Sequence, residues 1–346
     1  MSPPHKILII RLSSLGDILH TLPAFQSLRE SFPQAQIDWV VERKSSVLLS
    51  AVEGIHRVVE LDTRLPRQHP MRRESWKPLL TKILEMRARG YDVSLDFQGL
   101  LKTGILGLFG GARSRLGFSA ALVRERPAHW FYHRRLEHSG DVHVVELNLA
   151  LTAMAGARHF PTRTGLRSRP EDEQAVERLI GELKLREFVV INPGGGWATK
   201  RWPPERYAAL ADRLRDRLGM QVVITTGPGE EDLYRLIRRH SANGELAHMH
   251  LTFLQLIPLM RRAQLVIGGD TGPFHLACAL GTPVVGIFGP TSPQRNGAWH
   301  TRAEMVWRTL PCSYCYGRTC PTRNECMDVP VADVYEAVRR CISRLS

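Results

Sequence analysis

Short apolar runs alternate with stretches of helical periodicity along almost the whole chain. In the first half the runs KILIIRL (6–12), IDWVVE (37–42), VVEL (58–61), DVSLDF (92–97) and RLGF (115–118) predict strands. Segments such as 17–31 and 75–89 repeat apolar residues three and four apart and predict helices. In the second half FVVINP, QVVITTG, LVIGGD and VVGIFG alternate with helical patterns near 203–218, 229–240, 252–263 and 272–281. Each helical stretch is long enough for a crossover, so the strands are expected to run parallel in two doubly wound α/β units.

Between these units, after an apolar helix near 142–156, lies GARHFPTRTGLRSRPEDE, rich in Gly, Pro and Arg and without apolar period. The expected division is a first domain over 1–160, a linker over 161–175 and a second domain over 176–330. A last helix over 331–346 is expected to pack back on the first domain. A length of 346 residues accommodates two separate cores.

Composition narrows the class. Hydrophobic residues at 43% and charged ones at 23% fit a soluble globular protein. No apolar stretch reaches 18 residues, and the N-terminus enters a strand without the h-region of a signal peptide, so a cytoplasmic location is expected. The net charge of +13 is concentrated: residues 61–140 hold 15 Lys or Arg against 7 Asp or Glu. That face suits nucleic acid, an acidic membrane surface or a phosphorylated substrate, or it is simply a solvated surface.

Ligands in open α/β sheets bind beyond the strand C-termini, so the chemistry is sought there. After the first strand comes RLSSLGDILHTLP (11–23), with one glycine and a carboxylate, Asp17, where a dinucleotide fold carries three glycines. Ser14 and Asp17 form an S-x-x-D pattern, so Asp17 is either a capping residue or a reactive one. INPGGGWATKRWPPERY (191–207) offers Gly194, Gly195 and Gly196 for close backbone approach and Lys200 as a phosphate cation; the alternative is a flexible loop. In VIGGDTGPFHLACALGTPVVGIFGPT (266–291), Asp270 ends a strand and Thr271 and Gly272 open a helix whose free amides suit an anion. His275 lies one turn on, as a ligand or as a buried structural histidine. In TTGPGEED (225–232), Glu230 or Glu231 suits a ribose, or complements a helix dipole.

RLSSLGDILHTLPA, NPGGG with KRWPPERYAALA, TGPGEE and GGDTGPFHLACALGTPVVGIFGPT, in this order over nearly the whole chain, resemble glycosyltransferase family 9, the ADP-heptose:lipopolysaccharide heptosyltransferases. DFQGLLKTG (96–104), VRERPAHWFY (123–132) and VHVVELNLAL (142–151) resemble its heptosyltransferase I branch, with heptosyltransferase II or a later core enzyme as the alternative and a nucleotide-sugar epimerase of the same fold further off.

The resemblance implies a GT-B architecture, two Rossmann-like domains facing across a cleft with acceptor on the first and nucleotide sugar on the second. It implies inverting transfer of L-glycero-D-manno-heptose from ADP-heptose to Kdo-lipid A at the cytoplasmic face of the inner membrane. No nucleic-acid partner is implied. Asp17 would be the general base. Gly195, Gly196, Lys200, Glu230, Asp270, Thr271, Gly272 and His275 would form the donor site, with Glu231 as the alternative to Glu230. The family's threonine pair before the lysine falls here on Gly195 and Gly196, whose amides would substitute. The anionic acceptor would meet Arg64, Arg67, Arg72, Arg73, Arg124 and Arg126. Such a displacement needs a base and a stabilised leaving group and no cofactor.

The loop CSYCYGRTCPTRNEC brings Cys312, Cys315, Cys320 and Cys326 within 15 residues, spaced for a structural zinc or left as a reduced loop, with an iron-sulfur cluster as the lesser alternative. Cys278 and Cys341 fall in apolar helical stretches and are expected in the core.

Overall fold

The computed structural model describes residues 3–69, 71–159, 161, 163–242, 246–299 and 301–343. It divides into two compact units, Met1–Leu166 and Arg167–Ser346, parting within the Gly/Pro/Arg-rich stretch.

The first unit holds β1 (Lys6–Ile10), β2 (Gln36–Glu42), β3 (Arg57–Leu61), β4 (Val93–Asp96), β5 (Ser114–Phe118) and β6 (Arg134–Leu136). The second holds β7 (Phe188–Asn192), β8 (Gln221–Thr226), β9 (Ala247–His250), β10 (Leu265–Gly269), β11 (Val284–Phe288) and β12 (Ala303–Trp307). The spatial orders are β3-β2-β1-β4-β5-β6 and β12-β11-β10-β7-β8-β9, and every neighbouring pair is parallel. Counted within its own half, each sheet follows the same 3-2-1-4-5-6 path. Each therefore reverses direction at one place, between β1 and β4 and between β7 and β10, where loops part to receive a ligand.

The central strands are apolar throughout because helices cover both of their faces; β7, β10 and β11 are buried along their full length. Register then fixes which loops meet. Ile10 pairs with Asp96, so the turn after β1 emerges beside the turn after β4. Gly268 pairs with Asn192, so the glycine turn after β7 emerges beside Asp270.

Three differences from the sequence reading have physical causes. Strands β6, β9 and β12 lie at sheet edges and mix polar with apolar residues, so they lack a continuous apolar run. The expected helix 17–31 is two helices, Leu15–Leu19 and Leu22–Ser31, with Pro23 in the first turn of the second. The last helix, Val331–Ser343, groups with the second unit rather than standing apart from it. It packs on β11, β12 and the helix Pro204–Leu218, and its Val334, Ala337, Val338 and Cys341 complete the second unit's core.

Candidate functional site

In the first unit, Arg11 is the residue immediately after β1. Its side chain is almost fully buried, and its Nη2 meets Asp17 Oδ1 at 2.6 Å while Nη1 donates to the carbonyl of Phe97, just past β4. Asp17 Oδ2 accepts from both the Ser14 amide and the Ser14 hydroxyl at 3.0 Å. The capping reading of S-x-x-D is thus real, and it occupies one carboxylate oxygen. The other faces Arg11 and, at 3.5 Å, Arg124 Nη2.

Arg124 is delivered by the turn after β4. Asp96 Oδ1 accepts from the amides of Gln98 and Gly99, and the Gly99 carbonyl accepts from the amides of Arg124 and Glu125. Gly99 has φ +67, and a Cβ there would meet Val123 at 3.1 Å, so DFQGLLK needs glycine to hold VRER close. Burial pushes the Asp17 carboxyl up, but Arg11 and then Arg124, with the Ser14 amide, outweigh it and hold it well below the ordinary carboxylate range. Asp17 is therefore an oriented anion at neutral pH, only 20% exposed.

Of the other basic candidates, Arg64, Arg72, Arg73 and Arg126 are exposed. The Arg67 side chain lies outside the described residues. Arg124 is the candidate arginine that the structure brings to Asp17. Arg11 is absent from the candidates, although a cation directly ending an apolar strand was its signal.

In the second unit, Lys200, Asp270 and His275 form one chain of contacts. Lys200 Nζ donates to Asp270 Oδ2 at 2.6 Å and to its carbonyl at 3.1 Å; His275 Nε2 lies 2.7 Å from Oδ1. All three are nearly buried, at 11%, 7% and 5% side-chain exposure. Burial raises the Asp270 pKa, but His275 and Lys200 overcome this and hold it well below the ordinary range. The ammonium also sits 4.1 Å from the centre of the Trp197 ring. Two of its three protons are committed to Asp270. Asp270 thus positions the lysine, and His275 is buried in the same chain of contacts.

Around this chain lie buried polar atoms without partners among the described residues: Trp197 Nε1, Thr271 Oγ1 and Thr291 Oγ1. Thr271 precedes the helix Gly272–Leu280 in extended conformation, as an N-cap does. The glycine turn itself is closed by Glu230. Its carboxylate accepts from the Gly227 amide at 3.0 Å and lies where a Cβ on Gly194 would be, 2.3 Å from Oε1. Gly196 has open space at its missing Cβ, and the Gly195 carbonyl accepts from Arg201 Nη2 at 3.1 Å. Glu231 is exposed and turns to the Gly229 amide and His250, away from this turn.

In the cysteine loop, burial pushes the Cys326 thiol up, and Cys315, Cys320 and Cys312 lie near enough to add to that shift. Cys312 and Cys315 are exposed, Cys320 is half-buried with its thiol by Thr322, and Cys326 is buried and donates to Asn324. Among the described residues no group of three or more His, Cys, Asp or Glu side chains is placed to hold a metal ion. The loop braces the lysine turn: Thr199 donates to the Gly317 carbonyl at 2.7 Å, and Asn324 donates to the Thr199 carbonyl at 3.2 Å. The Arg318 guanidinium also lies over the Trp197 ring, 5.2 Å from its centre. Cys341 is core as expected, and Cys278 is half-buried.

Comparison with known proteins agrees with this arrangement. Lipopolysaccharide heptosyltransferase 1 of Pseudomonas aeruginosa is 29% identical over 346 residues, covering 99% of this chain and 94% of its own. The solved structure of Escherichia coli heptosyltransferase WaaC with ADP superposes with a TM-score of 0.75 at 24% identity, covering 97% of this chain and 99% of that one. That of E. coli ADP-heptose lps heptosyltransferase II gives 0.74 at 20% identity, with 98% and 99% covered. These structures share the fold. The glycosyltransferase family 9 (heptosyltransferase) profile matches residues 81–325, and the chain belongs to that family.

Proposed function

We propose that this protein is an inverting heptosyltransferase of the type I branch, moving L-glycero-D-manno-heptose from ADP-heptose to a Kdo-lipid A acceptor. The observation that carries the donor half of this reading is Lys200, held in place by Asp270, beside a glycine turn and the hydroxyl of Thr271, which has no partner among the described residues. That set offers a diphosphate one cation, a hydroxyl and the amides opening the helix at Gly272. Glu230, seated against Gly194, accepts from the ribose hydroxyls. Charge growing on departing ADP is met by groups already in place, worth roughly a hundredfold or more in rate.

On the acceptor half, Asp17 removes the proton as the acceptor oxygen attacks the anomeric carbon. Its low pKa makes it a weak base by equilibrium, so its contribution is orientation: Ser14 and Arg11 fix the carboxylate, and the arginines around it draw the anionic acceptor in. Arg64, Arg67, Arg72, Arg73, Arg124 and Arg126 grip the carboxylate and phosphates of that acceptor. The chemistry uses no cofactor, and the protein works at the cytoplasmic face of the inner membrane. No described helix is long and apolar enough to cross a membrane.

Incubating the purified protein with ADP-heptose and Kdo-lipid A, then weighing the glycolipid by mass spectrometry, tests this. Addition of one heptose is expected. Transfer only to an already heptosylated core moves the assignment to heptosyltransferase II or a later enzyme, and consumption of the nucleotide sugar without acceptor moves it to an isomerase.

A further inference from the structure

The helix Arg73–Arg89 covers the first sheet with Leu79, Ile83 and Met86, which pack toward Leu8, Ile10, Val40 and Leu106. That accounts for one side of it. At about 100° per residue, Trp76, Leu80 and Leu84 fall together on a neighbouring side. They are 39%, 53% and 65% exposed, and Met71, just ahead of the helix, is 94% exposed. Single exposed apolar residues are ordinary, but an aligned row is not.

The charges on this helix are sorted to match. Arg73, Lys77 and Arg87 fall within the same stripe, roughly 100° wide, and Arg72 precedes it. The acids, Glu74 and Glu85, fall on the opposite flank, where Glu85 is held by Arg57 and Lys82. Residues 64–89 carry eight Lys or Arg against these two acids. A row of tryptophan and leucines flanked by cations, with acids excluded, matches an interface that is apolar within and anionic at its rim.

We propose that the Trp76–Leu80–Leu84 row, with Arg73, Lys77 and Arg87 beside it, docks this protein on an anionic lipid bilayer. The apolar side chains enter the headgroup boundary and the cations reach the phosphates above it. This extends the lipid-linked acceptor reading above but does not require it, since the helix meets bulk lipid whether or not acceptor is present. The bilayer thereby holds the first unit at the surface where a lipid-anchored substrate resides.

Flotation of the full-length protein with vesicles of phosphatidylethanolamine and phosphatidylglycerol, containing neither donor nor acceptor, tests the proposal apart from the reaction. The wild type should float with these vesicles and stay behind with phosphatidylcholine alone. The combined variant Trp76→Gln, Leu80→Gln, Leu84→Gln should bind roughly tenfold or more weakly, each side chain contributing a small buried area. It should retain its far-UV circular dichroism and its transfer to a water-soluble, deacylated acceptor. Trp76→Phe should remove a tryptophan fluorescence component quenched by bromolipid. Equal flotation of variant and wild type, wild-type binding that needs the acceptor in the vesicle, or a row that instead mediates self-association would each overturn the proposal. If no acceptor is ever glycosylated, the functional reading fails while the flotation result stands.

Discussion

Arg11 and Asp17, six residues apart in sequence, meet at 2.6 Å beyond the end of the first strand, and the arginine is the more deeply buried of the two. A carboxylate tethered in this way keeps its charge and its direction together. Replacing Asp17 by Asn keeps the shape and removes the proton acceptor. Turnover should fall roughly 100- to 10,000-fold, as for loss of a general base, with ADP binding by calorimetry unchanged.

The same pair sets the pH behaviour. Because the Asp17 pKa is depressed, its stabilising contribution is complete above the unfolded carboxylate value of about 3.9 and is lost only as pH falls through the lower folded value. The wild-type kcat/KM should therefore show no limb from Asp17 between pH 5 and 8, within roughly the range where ordinary carboxylates stay ionised. In Arg11→Gln the limb should move upward. A pH–rate series on both proteins checks it, and a limb unmoved by Arg11→Gln would detach the arginine from the carboxylate's titration.

Lys200→Ala should lower kcat roughly a hundredfold through loss of leaving-group stabilisation. It also strips Asp270 of its lysine partner in a nearly buried setting, so unfolding free energy should drop by about 3 kcal/mol. Urea denaturation of Lys200→Ala against the double variant Lys200→Ala, Asp270→Asn separates the effects: the second change should restore stability and leave activity low.

Glu230→Gln should raise KM for the nucleotide sugar roughly tenfold, the scale of one charged hydrogen bond, while Glu231→Gln should change it little. Gly194→Ala should reproduce the Glu230 defect, because the added methyl occupies the place of the carboxylate. Initial-rate kinetics at varied donor decide this.

Thr199→Val removes the hydroxyl that ties the lysine turn to the cysteine loop. About 1 kcal/mol of stability should be lost. Donor KM should rise several-fold with kcat nearly kept, since the chemical groups remain. A kcat loss with KM unchanged would place the loop in the chemistry.

Much of the architecture was readable because parallel strands buried on both faces appear as unbroken apolar runs; β1, β7, β8, β10 and β11 are all of this kind. Edge strands such as β9, AHMH, escaped because half their surface is wet. Lys200, Asp270 and Thr271 stand out in the sequence by their places after strands, and the structure brings Lys200 and Asp270 into contact. Their interplay is not visible in the sequence: nothing in the spacing says that Asp270 spends its charge on the lysine. Arg11 was missed because a cation at the end of an apolar run reads as a strand boundary until register brings Phe97 and Asp17 to it. The cysteine spacing leaves zinc and a reduced loop both open, and it gives no sign of the loop's contacts to Thr199, which run through Gly317 and Asn324, residues with no conspicuous chemistry.

The helix Val331–Ser343 supplies part of the second unit's core from the far end of its sequence. This fixes an order of events during synthesis. The first unit has all its strands once the ribosome has passed Leu136, and it can fold while the rest is being made. The second must wait, its sheet laid down by Trp307 but part of its core left uncovered until this helix emerges. A nascent chain arrested in the cysteine loop would therefore carry a finished first unit and an adhesive second one, which is the state a chaperone would recognise.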